Sequence, residues 1–416
     1  MQQNDPLREL SIGERIKHYR RRRGISQITL AQLVGRSESW LSQVERGIRS
    51  VDRFSTILEL SKVLKVEVVE LTGRRFSLAP NGGLHYAAVE QIRKALVQYD
   101  AIPALLLPPG AERRAEKPPD LARLRRGVEE ANRLYQASRY IAVGELLPGL
   151  IVQAQRASRE LDGADRRMAH GVLAEVYHIT AKTLSRVGEA GLAWLVADRA
   201  VTAAEQSETP LLMAATAYHL GQAFLREGRL DQSLSVALRA AEMLDRDTRG
   251  ATPERLSAIG GLYLTGVIAA ARSSERAQTA ELLTRAERLA EDLGQDRNDL
   301  WLAFGAANVA IHRVAVAVEL GEPGEAIRRG EALDLSQLPP ELLGRRSQLL
   351  VELARAYAQR RMDAAALNTF LEAEEVAPEA LRFNGVVHSV VRELRRREHR
   401  RSTPQLREFA ARLGVE

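Results

Sequence analysis

Residues 25–47 read ISQITLAQLVGRSESWLSQVERG, a stretch that predicts two short helices in close succession. Ser26 and Ser37 stand where a hydroxyl can cap the start of each helix, because a serine oxygen accepts a hydrogen bond from the free amides there. Gly35 and Gly47 stand where each helix ends. So short a turn between the helices forces a sharp crossing angle, which leaves the second helix protruding from the surface.

The flanking sequence extends this pair into a small all-α bundle. Before it, Ser11 and Glu14 form a capping-box pattern that opens a first helix. After it, residues 53–64 and 67–71 are predicted to form a fourth and a fifth helix. We therefore expect a five-helix domain over residues 8–75, whose protruding third helix fits the major groove of DNA, about 12 Å wide.

The helix pair carries a motif that is more specific than its capping residues. The motif consists of Ile25, Ser26, Gln27, Leu30, Ala31, Val34, Gly35, Ser37, Leu41, Ser42, Val44, Glu45 and Gly47. In type and spacing these residues resemble the Cro/repressor-type (XRE) helix-turn-helix family, over about residues 10–73. The resemblance implies a sequence-specific transcriptional regulator with double-stranded DNA as its partner.

The resemblance also implies a role for each outward-facing position. Gln27 matches the family position that bonds a phosphate and braces the recognition helix. Glu38, Ser39 and Gln43 match positions that reach base edges, and glutamine pairs well with adenine, serine with several bases and glutamate with the cytosine amino group. Further DNA contacts at the rim of the third helix are expected from Arg36, Ser37, Trp40, Ser42, Arg46 and Arg49.

Two of these assignments have a competing interpretation, and so does a basic run earlier in the domain. Glu38 is an acid that faces a polyanion, so it favours binding only where it reads a cytosine or pairs with a cation such as Arg36. Trp40 is also compatible with core packing. The run Arg20 to Arg23 is compatible with a merely solvated helix end.

The net charge of +6 is concentrated at the N-terminus. Residues 1–75 hold 15 lysines and arginines against 9 aspartates and glutamates, whereas the rest of the chain holds 45 of each. A compact basic module on a neutral body indicates a polyanion as the partner of that module alone.

Composition and motifs argue against several other classes of protein. The chain has no cysteine, no basic-plus-apolar leader and no apolar run of membrane-spanning length, so we expect a cytoplasmic protein without disulfides or membrane contact. It also lacks a phosphate-binding P-loop, a dinucleotide glycine fingerprint and a zinc-protease motif. None of its eight histidines has metal-ligand spacing to a second ligand. We predict no enzymatic activity, no cofactor and no metal.

A proline-rich break separates the N-terminal domain from the rest. Five prolines fall between Pro103 and Pro119, where they disfavour helix and predict a linker. Residues 84–99 ahead of them predict one amphipathic connector helix. The predicted organisation is thus a DNA-binding domain, a connector over residues 76–120 and a helical repeat domain over residues 121–416.

The C-terminal region repeats a pattern of small and large residues. The clearest copy is Ala354, Tyr357, Ala366, Phe370, Ala373 and Pro378. In a helix pair, the small residues allow close crossing and the proline ends the second helix. The same frame starts again at Ala181, Gly221, Gly266 and Val314, which resembles a tetratricopeptide-like superhelix. A generic alanine-rich bundle is the alternative.

Superhelices of this kind present a concave groove lined by the first helix of each pair. The inner positions are His178, Lys182, Arg186, Tyr218, Gln222, Arg226, Tyr263, Asn308, Arg355 and Gln359. Amides can bond a peptide backbone and cations can take a carboxylate, so the set predicts a site for a peptide or small molecule. Ordinary solvent-facing polarity is the competing interpretation.

The two halves together resemble regulators that join an XRE-type domain to tetratricopeptide-like repeats, and the arginine- and alanine-rich composition suits an actinobacterial member. We expect a homodimer that pairs through the repeat domain, aided by the connector helix, so that two recognition helices lie about 34 Å apart on DNA. The alternative function is a protein-docking scaffold in which the helix-turn-helix serves as an interaction module.

Overall fold

The computed structural model describes residues 10–49, 51, 54–66, 70–71, 88–98, 119–245, 250–334, 341–398 and 403–415. Within these ranges the secondary structure is helical, apart from one isolated antiparallel bridge between Arg297 and Phe304. The predicted all-α class, with a helix-turn-helix domain followed by a helical solenoid, is confirmed.

The N-terminal domain begins with the predicted helices. They are α1 (Ile12–Arg22), α2 (Gln27–Leu33), α3 (Glu38–Glu45) and α4 (Phe54–Leu64). The side chains of Ser11, Ser26 and Ser37 each accept a hydrogen bond from the backbone amide three residues on, which confirms the predicted caps. Residues 67–69 of the predicted fifth helix lie outside the described residues, while residues 70–71 are helical.

The C-terminal region consists of antiparallel helix pairs joined by short turns. After the connector helix α5 (Ala88–Leu96) come α6 (Leu121–Gln136), α7 (Tyr140–Glu160), α8 (Gly163–Val187), α9 (Ala190–Gln206), α10 (Pro210–Glu227), α11 (Leu230–Asp245), α12 (Pro253–Arg272), α13 (Arg276–Leu293), α14 (Ala306–Glu319), α15 (Pro323–Glu331), α16 (Leu343–Gln359), α17 (Asp363–Val376), α18 (Pro378–Arg382), α19 (Gly385–Arg396) and α20 (Leu406–Arg412). Each even-numbered helix from α6 to α16 packs against the odd-numbered helix that follows it.

The helices of a pair cross at the small residues of the predicted frame. In the α10–α11 pair, the Ser233 hydroxyl donates to the Gly221 carbonyl across 2.9 Å. In the α12–α13 pair, a methyl group added to Gly266 would lie 3.2 Å from Leu282. Such contacts require backbones close enough to leave no room for larger side chains.

The even-numbered helices form the inner layer, and this layer closes on itself. Each inner helix contacts the next, and α16 packs back against α6. Further contacts join the first helix pair to later ones. The side chains of Gln136, at the end of α6, and Asn298, between α13 and α14, exchange two hydrogen bonds of 2.8 Å, and the Ile141 amide of α7 donates to Glu379 of α18 across 2.9 Å. The inner face therefore lines the interior of a closed layer, whereas the sequence predicted the concave groove of a superhelix.

The connector helix is part of the repeat domain's core. The side chains of Val89, Ile92 and Leu96 are buried against α7, and Arg199 donates to the Leu96 carbonyl across 2.8 Å. The apolar face of α5 is thus covered within the same chain. Residues 84–87 and 99–118, which hold the predicted helix ends and the proline-rich linker, lie outside the described residues.

Tight packing around Gly260 in α12 leads to a testable prediction. A methyl group there would lie 2.0 Å from the ring of Phe304, which is fully buried. We expect Gly260→Ala to lower the free energy of unfolding by about 1–3 kcal/mol because the ring has to move. At Gly149, an exposed position on α7, a methyl group meets nothing within 4 Å, so Gly149→Ala should instead stabilise by about 0.5–1 kcal/mol. Urea unfolding measures the stability of both variants. Equal changes in the free energy of unfolding would contradict the tight packing around Gly260.

Candidate nucleic-acid interface and the repeat interior

The third helix is held in place by its close contact with α1. A Cβ atom at Gly13 would lie 2.0 Å from the Val44 carbonyl oxygen, so α1 passes directly over the end of α3. Leu41 and Val44 are buried in the domain core. The opposite face of α3 is therefore turned away from the core.

A buried ion pair fixes the C-terminal end of α3. The Arg20 guanidinium donates to both carboxylate oxygens of Glu45, at 2.5 and 2.9 Å, and to the Ile25 carbonyl at 2.8 Å. The Gln27 amide donates to the same carboxylate across 2.7 Å. Hydrogen bonding to Glu45 raises the pKa of Arg20 above its usual value. One carboxylate thus joins α1, α2 and α3.

This ion pair was missed by the sequence analysis, which considered Arg20 only as part of a basic helix end. Arg21, Arg22 and Arg23 are indeed exposed, but Arg20 is buried. The signal that could have found the pair is Glu45 itself, an acid on the apolar side of an amphipathic helix. Such a residue requires a buried cation as its partner.

The predicted DNA-contacting side chains lie along the outer face of α3 and its flanks. Ser39 is exposed and Gln43 is half-buried, one turn apart on the same face. Arg46 and Arg49 are exposed just beyond the helix. The other predicted contacts, Ser37, Glu38 and Ser42, are exposed or half-buried on the same element. Hydrogen-bonding groups therefore sit beside cations, as base and phosphate contacts require.

Trp40 and Arg36 were predicted as DNA contacts at the rim of α3, and both also contact the rest of the domain. The indole is half-buried against the domain core, and the Arg36 guanidinium lies 5.6 Å from the indole ring and 3.4 Å from the Thr56 hydroxyl. Among the described residues Glu38 has no ion-pair partner, so it does not pair with Arg36. Its carboxylate is free to meet a base or solvent.

Known proteins share the helix-turn-helix part of this sequence. A family model described as "Helix-turn-helix domain" matches residues 11–72. The "HTH-type transcriptional regulator SinR" of Bacillus subtilis (strain 168) is 32% identical over 85 residues, which is 20% of this chain and 77% of SinR. The chain belongs to the helix-turn-helix transcriptional regulator family. SinR of Bacillus licheniformis matches with the same identity and the same coverage.

Among solved structures, the regulator is similar to Bacillus thuringiensis PlcR, crystallised with the peptide PapR7 and DNA. The TM-score is 0.39 at 12% identity, and the match covers 88% of this chain and 98% of that chain.

In the described part of the regulator, no group of three or more histidines and carboxylates is placed to hold a metal ion. None of its described helices is long and apolar enough to cross a membrane.

The residues predicted to bind a ligand all lie on the inner helices. His178, Lys182 and Arg186 belong to α8, Tyr218, Gln222 and Arg226 to α10, Tyr263 to α12, Asn308 to α14, and Arg355 and Gln359 to α16. The structure brings them around one interior, but several already have partners within the chain. The Gln222 amide donates to Thr265 across 3.1 Å, and Tyr263 is buried beneath the Arg285 guanidinium.

Arg355 belongs to a network of alternating charges. Its guanidinium pairs with Glu352 at 2.5 Å and with Glu319 at 3.3 Å, and Arg272 also pairs with Glu319 at 3.3 Å. Burial opposes ionisation of Glu319, yet the two arginines outweigh burial and hold its pKa below the usual value. Arg355 therefore has ion-pair partners within the chain, and its predicted role as a ligand contact stays a prediction.

Lys182 lies among partners that the repeat frame did not identify. Its ammonium donates to Asn132 across 2.7 Å and lies 4.5 Å from the ring of Tyr135. Burial, together with the positive Arg345, lowers the pKa of Lys182 to about 7. Asn132 and Tyr135 were missed because the first helix pair lacks most of the repeat pattern.

Two buried histidines are held neutral. His178 bonds to the Thr216 hydroxyl across 2.8 Å and contacts the ring of His219, while His312 bonds to the Asn308 carbonyl across 2.8 Å. Burial and the nearby Lys182 lower the pKa of His178 to about 3. Burial and Arg345 lower the pKa of His312 to about 4.

Breaking the buried ion pair should destabilise the N-terminal domain. Glu45→Ala leaves Arg20 buried without a counter-ion, and we expect a loss of about 3 kcal/mol. Glu38→Ala, an exposed position on the same helix, is the control and should change stability by less than about 0.5 kcal/mol. Urea unfolding followed at Trp40, with the other two tryptophans replaced by phenylalanine, measures the difference. Similar stabilities for the two variants would refute the bracing role.

Acid should destabilise the repeat domain through its neutral histidines. Below pH 6.5 the unfolded chain binds protons at His178 and His312 that the folded chain does not bind, so stability falls as the pH falls. Between pH 6.5 and 5 we expect a loss of about 1–2 kcal/mol per histidine. His312→Gln should reduce this slope relative to the wild type. Identical slopes for the wild type and the variant in urea titrations would contradict the assignment.

Proposed function

We propose that this regulator binds DNA sequence-specifically through α3, and that its repeat domain pairs two chains and senses a ligand. One observation carries the DNA-binding part: α3 is locked by the Arg20–Glu45 ion pair while Ser39 and Gln43 stay on its open face. A rigidly held helix can discriminate bases because its side chains do not have to be ordered on binding.

The charge of the domain supports the same function. The cations that flank the polar face of α3 include Arg46 and Arg49, and Arg21 to Arg23 add further exposed positive charge. Phosphate contacts of this kind fix register and supply most of the salt-dependent affinity. The family relationship to a protein named as a transcriptional regulator supports regulation as the purpose of binding.

The finer parts of the proposal rest on the repeat domain. Its helix pairs cross at the small residues that a tetratricopeptide-like frame requires, and we assign it to that class. We propose pairing through its outer surface, because the apolar face of α5 is covered within the chain. We further propose that the protein is cytoplasmic, non-enzymatic and of actinobacterial type. In this proposal a ligand alters DNA binding only if it binds one arrangement of the two paired chains more tightly than another.

DNA binding tests the proposal directly. Genomic fragments captured by the full chain should bind with an affinity that falls steeply as salt rises. Gln43→Ala should lose about 1–3 kcal/mol of discrimination between bases, because it removes a base-edge contact. Gln32→Ala, at an exposed position on α2, is the matched control and should retain sequence choice. Fluorescence anisotropy at several salt concentrations measures both variants.

Two outcomes would count against DNA reading. Salt-insensitive binding without sequence choice would favour the docking-scaffold alternative. A Gln43→Ala variant that discriminates bases as well as the wild type would show that α3 does not read them through this residue.

A further inference from the structure

The turn between α13 and α14 has an unusual backbone. It runs from Gly294 to Gly305 and passes through the left-handed region at Leu300, Trp301 and Ala303, with φ angles of 51°, 61° and 52°. Among the described residues, each of the other turns between helices holds at most one non-glycine residue in this region. A left-handed backbone crowds the Cβ atom of such a residue, so surrounding contacts have to hold the turn in this conformation.

The second half of this turn is anchored on α12. The fully buried ring of Phe304 lies against Gly260, and Leu302 is buried as well. The Arg297 amide donates to the Phe304 carbonyl across 2.9 Å, which draws the two ends of the turn together. Residues 298–303 therefore form a short loop that is closed at its base.

This loop contacts both helices that close the inner layer. Its Asn298 side chain exchanges the two hydrogen bonds of 2.8 Å with Gln136, at the end of α6. The guanidinium of Arg345, at the start of α16, donates to the Leu302 carbonyl across 3.2 Å. The two helices also meet directly here, since a Cβ atom at Gly344 would lie 3.2 Å from the Gln136 carbonyl oxygen. The loop thus spans the contact between the first and the last inner helix.

The contacts across the closure and the strain of the loop depend on each other. The hydrogen bonds to Gln136 and Arg345 exist only while α6 and α16 are together, and they help to hold the three left-handed residues in place. Asn298 is exposed and Gln136 is half-buried, so water competes for the bonds between their side chains. A strained element that is held by weak, long-range contacts is suited to two alternative arrangements.

We propose that residues 298–303 form a latch that holds the inner layer closed, and that release of this latch opens the layer between α6 and α16. In the closed state, the contacts with Gln136 and Arg345 offset the strain of the left-handed residues. In the open state, the loop relaxes and no longer presents the Asn298 side chain to α6. The latch goes beyond the proposed function, because it describes how the repeat domain changes shape whether or not DNA is bound.

Amide hydrogen exchange of the full chain, measured by mass spectrometry without DNA, tests the latch. Asn298→Ala removes both hydrogen bonds to Gln136, so we expect exchange to be about three- to tenfold faster in the loop, at the end of α6 and at the start of α16. Gln136→Ala removes the same pair of bonds, and the double variant should exchange no faster than either single variant. Gln295→Ala, at an exposed position in the same turn, is the matched control and should leave α6 and α16 unchanged.

Substitution by glycine tests the strain separately. Ala303→Gly removes the Cβ atom that a left-handed backbone disfavours, so it should favour the closed state and slow exchange in the same three places by about two- to fivefold. Ser274 is also left-handed, with a φ angle of 62°, but lies in the exposed turn between α12 and α13. Ser274→Gly is therefore the control and should leave exchange at α6 and α16 unchanged.

The latch is overturned if Asn298→Ala speeds exchange only within the loop, because the loop then does not hold the two helices together. It is also overturned if the effects of Asn298→Ala and Gln136→Ala add in the double variant, or if Ala303→Gly speeds exchange. DNA binding by the wild type decides the proposed function separately. A chain whose latch behaves as expected but that binds no DNA therefore contradicts only the latter.

Discussion

Two helices can approach until their backbones touch only where one of them lacks a side chain, and both parts of this regulator depend on that constraint. In the N-terminal domain, Gly13 lets α1 pass over the Val44 carbonyl. In the repeats, Gly221 lies against Ser233, and a Cβ atom at Gly330 would lie 2.4 Å from Leu353. Because close-packed interiors cannot absorb an extra methyl group freely, these crossings set the positions of the helices that carry function.

The crossing of α1 and α3 explains why a buried ion pair is used at this point. Once the backbones are in contact, Arg20 and Glu45 lie too deep for water to solvate them, and each requires the other. Such a pair contributes little net stability compared with apolar packing, since desolvation offsets the attraction. The pair instead fixes the orientation of α3, because the bidentate contact and the added hydrogen bond from Gln27 allow only one rotation of this helix about its axis.

Local features of the fold could be predicted because their causes are local. The serine caps at Ser11, Ser26 and Ser37 act on amides three residues away, and the small residues of each pair recur within one repeat. Periodicity also placed the ligand candidates on the inner helices. It could not show that α16 closes against α6, since more than 200 residues lie between the two helices.

The same limit applies to the charges of the candidate ligand site. Arg355 and Arg226 occupy similar positions in the inner layer, and composition alone assigns them the same role. Their difference arises from their neighbours. Glu352 on the same helix and Glu319 on α14 pair with Arg355, whereas burial and the positive Arg186 lower the pKa of Arg226. Charge balance in an enclosed interior is thus a property of the closed layer, which no single repeat contains.

Closure also constrains how a ligand could act. In an open superhelix, a bound molecule changes curvature by wedging neighbouring repeats apart. Here the first and last inner helices are in contact, so curvature cannot change without breaking the contact between α6 and α16. A ligand bound in the interior could therefore alter DNA binding only if the closed and opened layers hold the DNA-binding domain differently.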